Sequence, residues 1–360
     1  MVQKADGMTY APKGKAAPVV GPGQFRFAAM HLDHGHIYGM CNGLIEAGGE
    51  LVAVYDPQPE RVAAFTKTYP QAKAVADARA IFEDSTIRLI AAAAVPCDRG
   101  PLGCRAMEHG KDYFTDKTPF TSLEQLATAR AVCARTKRRY FVYFSERLHV
   151  ECAVEAGRLI SAGAIGRPVQ VLGLGPHRLG DASKRPAWFF ERAKYGGILC
   201  DIGSHQIEQF LAYTNNTDAK IQAAKVANYH APQFPELEDF GDLTVIGANG
   251  ATGYHRVDWL NPKGLATWGD GRTIILGTDG YIELRKYVDV AGRPGGDHLF
   301  LVDGKEQRYI DCKDVALPYG GRLLADIAHR TETAMAQAHC FLATELALRA
   351  EAMAVRVSPR

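Results

Sequence analysis

Asp201, Ser204 and His205 lie in the segment ILCDIGSHQIEQFLAY, which follows Gly196-Gly197. On a helix, Asp201, His205 and Glu208 fall at i, i+4 and i+7 on one polar face, while Leu199, Ile207, Phe210 and Leu211 supply apolar area for packing. A polar face of this kind is costly to bury without partners or a purpose. The spacing suits proton exchange between a carboxylate, an imidazole and a bound hydroxyl, and it equally suits a structural pair. Lys117, in DYFTDKTPF, adds an ammonium group. Around one hydroxyl the three form a proton-handling set: Lys117 supplies positive charge, His205 exchanges the proton, and Asp201 orients them.

A second group of candidates follows the run FRFAAM. His31, Leu32, Asp33, His34, Gly35 and His36 occupy the turn where a dinucleotide-binding fold places G-x-G-x-x-G. None of the three glycine slots holds glycine, and Gly35 stands one place early. Asp33 faces the position of a diphosphate and would repel it unless its side chain turns away. Asp56, in VYDPQPER, ends the next extended run, where a carboxylate accepts hydrogen bonds from ribose hydroxyls and favours NAD over NADP. An Asp before Pro also simply begins a turn.

The elements that must position these residues read clearly at the start of the chain. Phe25 to Met30 is a strand, about His36 to Ala47 a helix, Glu50 to Asp56 a strand, and Pro59 to Tyr69 a helix. Ile87 to Val95 is a strand apolar on both faces, Gly103 to His109 a helix, and Asp112 to Thr115 a strand. Leu123 to Lys137 is a helix and Tyr140 to Phe144 a strand. Lys117 thus follows a strand at the carboxyl edge of a parallel sheet, where ligands of such folds bind. Past a helix at about Val150 to Ala162 and a strand at Pro168 to Leu174, extended segments from Lys220 to Asp311 follow one another without helices, which implies antiparallel pairing. Leu323 to Val357 is Ala-rich and helical, as one or two helices. The expected fold is α/β, a doubly wound parallel sheet followed by an α+β domain with a mostly antiparallel open sheet. The expected boundaries are a flexible leader at 1–23, a dinucleotide domain at 24–146 and a second domain at 147–360.

Composition narrows the partners. At roughly 150 residues per domain, 360 residues make about two, and 47% hydrophobic residues give each a core. Against 40 Asp and Glu, 42 Lys and Arg leave a formal +2, which offers nucleic acid no general field. The longest apolar run, Leu89 to Cys97, is about half a membrane span. Eight cysteines without a C-x-x-C pair fit a reducing compartment, and the first residues lack the apolar block of a secretory signal, so a cytoplasmic location is expected.

ELVAVYDPQPERVAAF, AMEHGKDYFTDKTPF, SAGAIGRPVQV and GGILCDIGSHQIE together resemble the Gfo/Idh/MocA family of sugar and cyclitol dehydrogenases, from about Phe25 onwards. The resemblance implies a Rossmann domain, NAD as cofactor, and reversible oxidation of a secondary hydroxyl on a sugar, cyclitol or related polyol. It assigns the catalytic Lys, Asp and His to Lys117, Asp201 and His205, and places Pro96, in Val95-Pro96-Cys97-Asp98-Arg99, and Lys117 beside the nicotinamide half. His177, Arg185 and Trp188, in the intervening loop, become substrate contacts: Arg185 for carboxylate or hydroxyls, Trp188 for a sugar face. By the same analogy the chain forms a dimer or tetramer. The sequence departs from the family in its first turn and in Asp116-Lys117-Thr118-Pro119, where the proline stands one residue further from the lysine.

Two other readings stay open. His31, Asp33, His34 and His36 form H-x-D-H-x-H after a strand, like the metal cluster of a hydrolase barrel, which would need about eight βα units. The missing glycines also suit a catalytically silent binding or regulatory protein that has kept the fold.

Overall fold

A computed structural model describes Met8 and residues 17–358. The rest of the expected flexible leader lies outside the described residues. Residues 17–23 are tied down: Val19 N–H donates to the Ala47 carbonyl (2.9 Å), and Gly23 N–H to the Glu50 carboxylate.

The described chain forms two units. The first takes residues 17–143 and Leu317–Phe341. Its elements are β1 (Arg26–Met30), α1 (His36–Glu46), β2 (Glu50–Tyr55), α2 (Pro59–Thr68), β3 (Lys73–Ala74), α3 (Arg79–Phe82), β4 (Ile87–Ala92), α4 (Pro96–Glu108), β5 (Asp112–Asp116), α5 (Leu123–Thr136) and β6 (Tyr140–Tyr143). They make a six-stranded parallel sheet in the order β3-β2-β1-β4-β5-β6, the doubly wound order whose switch point lies between β1 and β4. Small, apolar β4 is buried along nearly its whole length, as a central strand covered on both faces must be.

The second unit takes residues 144–316 and 342–358. After α6 (Ser145–Leu148), α7 (Glu151–Ser161) and β7 (Pro168–Pro176) come α8 (Arg192–Tyr195), α9 (Ile198–Asp201) and α10 (Gly203–Thr214). The remaining strands are β8 (Ala219–Ala227), β9 (Phe240–Gly247), β10 (Thr252–Asp258), β11 (Arg272–Gly277), β12 (Gly280–Arg285), β13 (His298–Asp303) and β14 (Gln307–Asp311). Helices α11 (Tyr319–His329) and α12 (Gln337–Met353) and strand β15 (Val355–Val357) close the chain. The nine-stranded sheet runs β14-β13-β12-β11-β7-β10-β9-β8-β15 and is antiparallel except where β7 meets β10 and β8 meets β15. Helices α7, α9 and α10 pack on one face of it.

The sequence reading omits β3 and α3 and puts Asp201 and His205 on one helix, where α9 and α10 are separate; three further features depart from it. Helix α4 starts at Pro96, not Gly103, because Pro96 takes the first helical position, where no N–H is needed. Residues 355–357 form a strand beside β8 and do not continue the last helix. Residues 317–341 group with the first unit, α11 packing on α1, whereas the sequence reading carries 147–360 as one domain. The strand-rich second unit does not supply the βα repeats of a hydrolase barrel. Among the described residues no helix is long and apolar enough to cross a membrane.

Candidate active site

The first turn keeps a glycine-like course with no glycine in the three expected slots. His31 has φ +51°, in the left-handed region, and continues the sheet: its N–H donates to the Tyr55 carbonyl and its carbonyl accepts from Ala93 N–H, both at 3.0 Å. Leu32 N–H donates to Asp56 Oδ2 (2.6 Å) and Gln58 N–H to Asp56 Oδ1 (2.8 Å). The Asp33 carboxylate accepts from the Arg61 guanidinium of α2, so its charge is met within the turn. His36 N–H donates to His34 Nδ1 (3.2 Å) at the start of α1. The N–H groups of Asp33 and Gly35 find no acceptor among the described residues, which suits a phosphate held before a helix N-terminus. This turn therefore fits a dinucleotide, its odd carboxylate neutralised.

Arg99 governs the segment around Lys117. Buried in the first turn of α4, it donates from Nε to the Ala94 carbonyl (2.6 Å) and from Nη1 to the Lys117 and Thr118 carbonyls, and its Nη2 lies 3.3 Å from Asp116 Oδ2. The strand-ending Asp116 also accepts from His36 Nδ1 (2.9 Å). Burial pushes the Asp116 carboxyl up, but His36 and Arg99 outweigh it and hold the group well below the usual carboxylate range. Burial, with His36 beside it, holds the His34 imidazole well below its ordinary value. Lys117 itself is buried and its peptide with Thr118 is cis. Pro96 sits at the head of α4, two residues from Ala94.

His34, His36 and Asp116 each offer an atom within 4.8 Å of the others, close enough for a metal. They are engaged otherwise: His34 Nδ1 accepts the His36 amide, His36 bonds Asp116, and the Arg99 cation shares that carboxylate. A guanidinium there opposes a divalent ion. The cluster also differs from the expected one, since Asp33 serves Arg61 and the His31 ring meets Tyr55 edge-on (6.0 Å).

In the second unit, Asp201 ends α9 and His205 lies in the first turn of α10, with the Ile202 carbonyl accepting His205 N–H (3.1 Å). Asp201 is half-buried, His205 buried, and the Phe144 ring stands edge-on to the imidazole at 6.2 Å. Glu208 does not share an open polar face with them: it is fully buried and grips the Arg147 guanidinium through both oxygens. The Gly-Gly pair before α9 has a steric cause. Gly197 has φ +93°, and a Cβ there would lie 2.2 Å from Glu351 Cδ. Glu351 and Glu238 accept the Leu199 (3.2 Å) and Ile198 (2.9 Å) amides that open α9.

Behind α10 lies a charged pair that sequence reasoning misses. Lys286 Nζ donates to Gln209 Oε1 (2.6 Å) and Glu146 Oε2 (3.2 Å), and Gln206 Nε2 donates to the same Glu146 oxygen (2.8 Å). Burial pushes Glu146 up, but the charges of Lys286, His205 and His177 outweigh it and bring its carboxyl down to about 2. His177 Nδ1 lies 3.0 Å from the Gly175 carbonyl, so Nδ1 carries the hydrogen, and Nε2 lies 4.0 Å from Glu146 Oε1. Of the expected substrate residues, His177 thus borders a polar network. Arg185 instead spends its guanidinium on the Leu179 (2.7 Å) and Arg178 (3.0 Å) carbonyls and on the faces of Phe189 and Trp259. Trp188 is buried and packs on Phe189 at 6.1 Å.

The family's N-terminal domain, the oxidoreductase family with an NAD-binding Rossmann fold, matches residues 17–144, and its C-terminal domain matches residues 153–283. Over 242 residues the chain is 28% identical to scyllo-inositol 2-dehydrogenase (NAD(+)) of Bacillus subtilis (strain 168), covering 65% of this chain and 66% of that protein, slightly under two thirds of its length. The crystal structure of an assigned oxidoreductase from Erwinia carotovora atroseptica SCRI1043 is 48% identical, with TM-score 0.90 over 93% of this chain and 100% of that one. An assigned oxidoreductase from Thermotoga maritima, at 21% identity, shares the fold with TM-score 0.80 over 92% and 98% of the two chains. With both domains matched in order around a doubly wound sheet that ends a strand at Asp116-Lys117, the chain belongs to the Gfo/Idh/MocA family of oxidoreductases.

Proposed function

We propose that the protein is an NAD-dependent dehydrogenase that oxidises a secondary hydroxyl of a sugar, cyclitol or related polyol in the cytoplasm. The observation that carries this reading is the placement of Lys117 directly after β5, at the carboxyl end of a parallel sheet, with its backbone clamped by Arg99. The likeness to an NAD-using inositol dehydrogenase supports the substrate class. A bound nicotinamide would supply the hydride acceptor that turns the alcohol into a ketone, leaving one proton for this chain's own residues to remove. His205 takes that proton from the hydroxyl oxygen, Asp201 orients the imidazole, and the Lys117 ammonium stabilises negative charge on the oxygen. Preference for NAD is supported by the charge at the end of β2, where Asp56 and Asp33 outnumber Arg61.

Titration with NAD and NADP, followed by a screen of sugars, inositols and sugar acids for NADH formation, tests the reading. Binding of NAD and turnover of a polyol are expected; failure to bind either nucleotide would overturn it and leave a silent protein of this fold. Lys117→Ala and His205→Ala should each lower kcat by about 10²–10⁴-fold with the fold intact. Undiminished turnover in both would place the chemistry elsewhere.

We further propose that a second copy of the chain covers the free face of the nine-stranded sheet. Leu172, Tyr254 and Ile274 are in register across β10, β7 and β11, beside Leu276 and Tyr281, an apolar strip opposite the helix-covered face. A continuous apolar strip of this kind is unusual on a monomer, and a twofold pairing would make it self-complementary. Mass measurement at micromolar concentration should give a dimer or tetramer, and Ile274→Lys with Leu276→Glu should give monomer. A monomeric parent protein would refute the pairing.

A further inference from the structure

The end of β2 holds an arrangement that the dinucleotide reading alone does not explain. Asp56 is the residue expected to meet the adenosine ribose, yet its side chain is fully enclosed, and each of its oxygens already accepts a backbone N–H, from Leu32 and from Gln58. Asp33 and Arg61, at 13% and 26% exposure, both reach solvent there. Arg61 Nη1 is bound by Asp33 Oδ1 and lies 3.7 Å from Asp56 Oδ2. Two carboxylates and one guanidinium leave one net negative charge. That charge tolerates a neutral ribose hydroxyl and opposes a 2′-phosphate. Arginine near this point of a Rossmann fold is, however, the group that receives a 2′-phosphate when it is free to do so.

We propose that Asp33, standing in a slot its family fills with glycine, is the coenzyme-selecting residue: by clasping Arg61 it withholds the guanidinium from a 2′-phosphate. Asp56 then serves to brace the turn through the Leu32 and Gln58 amides, and the choice of nucleotide lies with the clasp. The inference rests on the dinucleotide-binding function proposed above.

The test is the ratio of Kd for NADP and NAD, measured by calorimetry on the full chain. Asp33→Ala should shift that ratio towards NADP by about tenfold or more, and Asp33→Asn, which removes the charge with little change of shape, should shift it the same way. Adding Arg61→Ala to Asp33→Ala should abolish the gain. A parent protein that binds neither nucleotide overturns the dinucleotide reading and this inference with it. A parent that binds NAD, with the ratio unchanged in both Asp33 variants, overturns the inference alone. So does a gain that survives the loss of Arg61, or a parent that already prefers NADP.

Discussion

Glu146 and Lys286 form a buried ion pair whose value lies in both partners being present. Removing one leaves the other charged and enclosed, which costs about 3–5 kcal/mol, whereas replacing both with neutral groups of similar size is often far milder. Urea unfolding at pH 7 should therefore find Glu146→Gln and Lys286→Met each strongly destabilised, and the double variant closer to the parent than their sum. Near-parental stability of both single variants would dismiss the pair. The Glu146 carboxyl lies below its ordinary value, so its contribution is full above the unfolded-state pKa and fades as pH falls towards about 2. The gap between parent and Glu146→Gln should narrow over that acid range. Neither residue announced itself in the sequence: Glu146 reads as one charge among SERLH, and its partner lies 140 residues away. Arg99 was hidden for the same reason, since its value comes from carbonyls at Ala94, Lys117 and Thr118 that only the fold assembles. Lys117, Asp201 and His205 stood out in the sequence as candidates because an ammonium, a carboxylate and an imidazole there fall in short spaced motifs.

At the scale of elements, the start of α9 is a tightly constrained junction in the second unit. Gly197→Ala would impose φ +93° on a residue with a Cβ and drive that carbon into Glu351, displacing the two carboxylates that hold the first amides of the helix. A loss of about 1–3 kcal/mol from backbone strain is expected, plus whatever the collision adds. Because Asp201 ends this helix, kcat should fall along with the thermal midpoint. An alanine variant with parental stability would refute the steric account of the glycine pair. Strand-helix alternation was readable over most of the first unit because hydrophobic period and turn residues agree there, but short β3 and α3 carry too few residues to show a period. Helix α4 was misread at its start because PCDRGPLG, with two prolines and two glycines, looks like a loop. The fold overrides that local preference: Pro101 has no N–H to offer the Cys97 carbonyl one turn back, and Gln125 Nε2 from α5 donates to it instead (2.9 Å). Residues 355–357 were read as helix because an Ala-rich run leads into them; what makes them a strand is the free edge of β8.

For the whole molecule, two buried carboxyls set a pH dependence of unusual sign. Burial and Glu238 push Glu351 up to about 7, and burial and Glu151 push Asp297 up to about 7. An acid whose folded pKa is raised contributes stability below its unfolded value, and the contribution is lost as pH rises through the folded value. Between about pH 4 and pH 7 the parent loses these two contributions and the variants do not, so the thermal midpoints of Glu351→Gln and Asp297→Asn should gain on the parent's as pH rises. Variant midpoints that run parallel to the parent's across this range would refute the assignment.

The return of residues 317–341 to the first unit means that neither unit is encoded by one uninterrupted stretch. A fragment cut after Tyr143 keeps all six parallel strands yet loses α11 from its seat on α1, where a carbon added to Gly320 would come within 2.2 Å of the Gly43 carbonyl oxygen. Dissection, chimera-building with a relative, or circular permutation must therefore transplant the late helical segment together with the early strands, or leave bare an apolar seam that ribosomal synthesis itself completes only near the end of the chain.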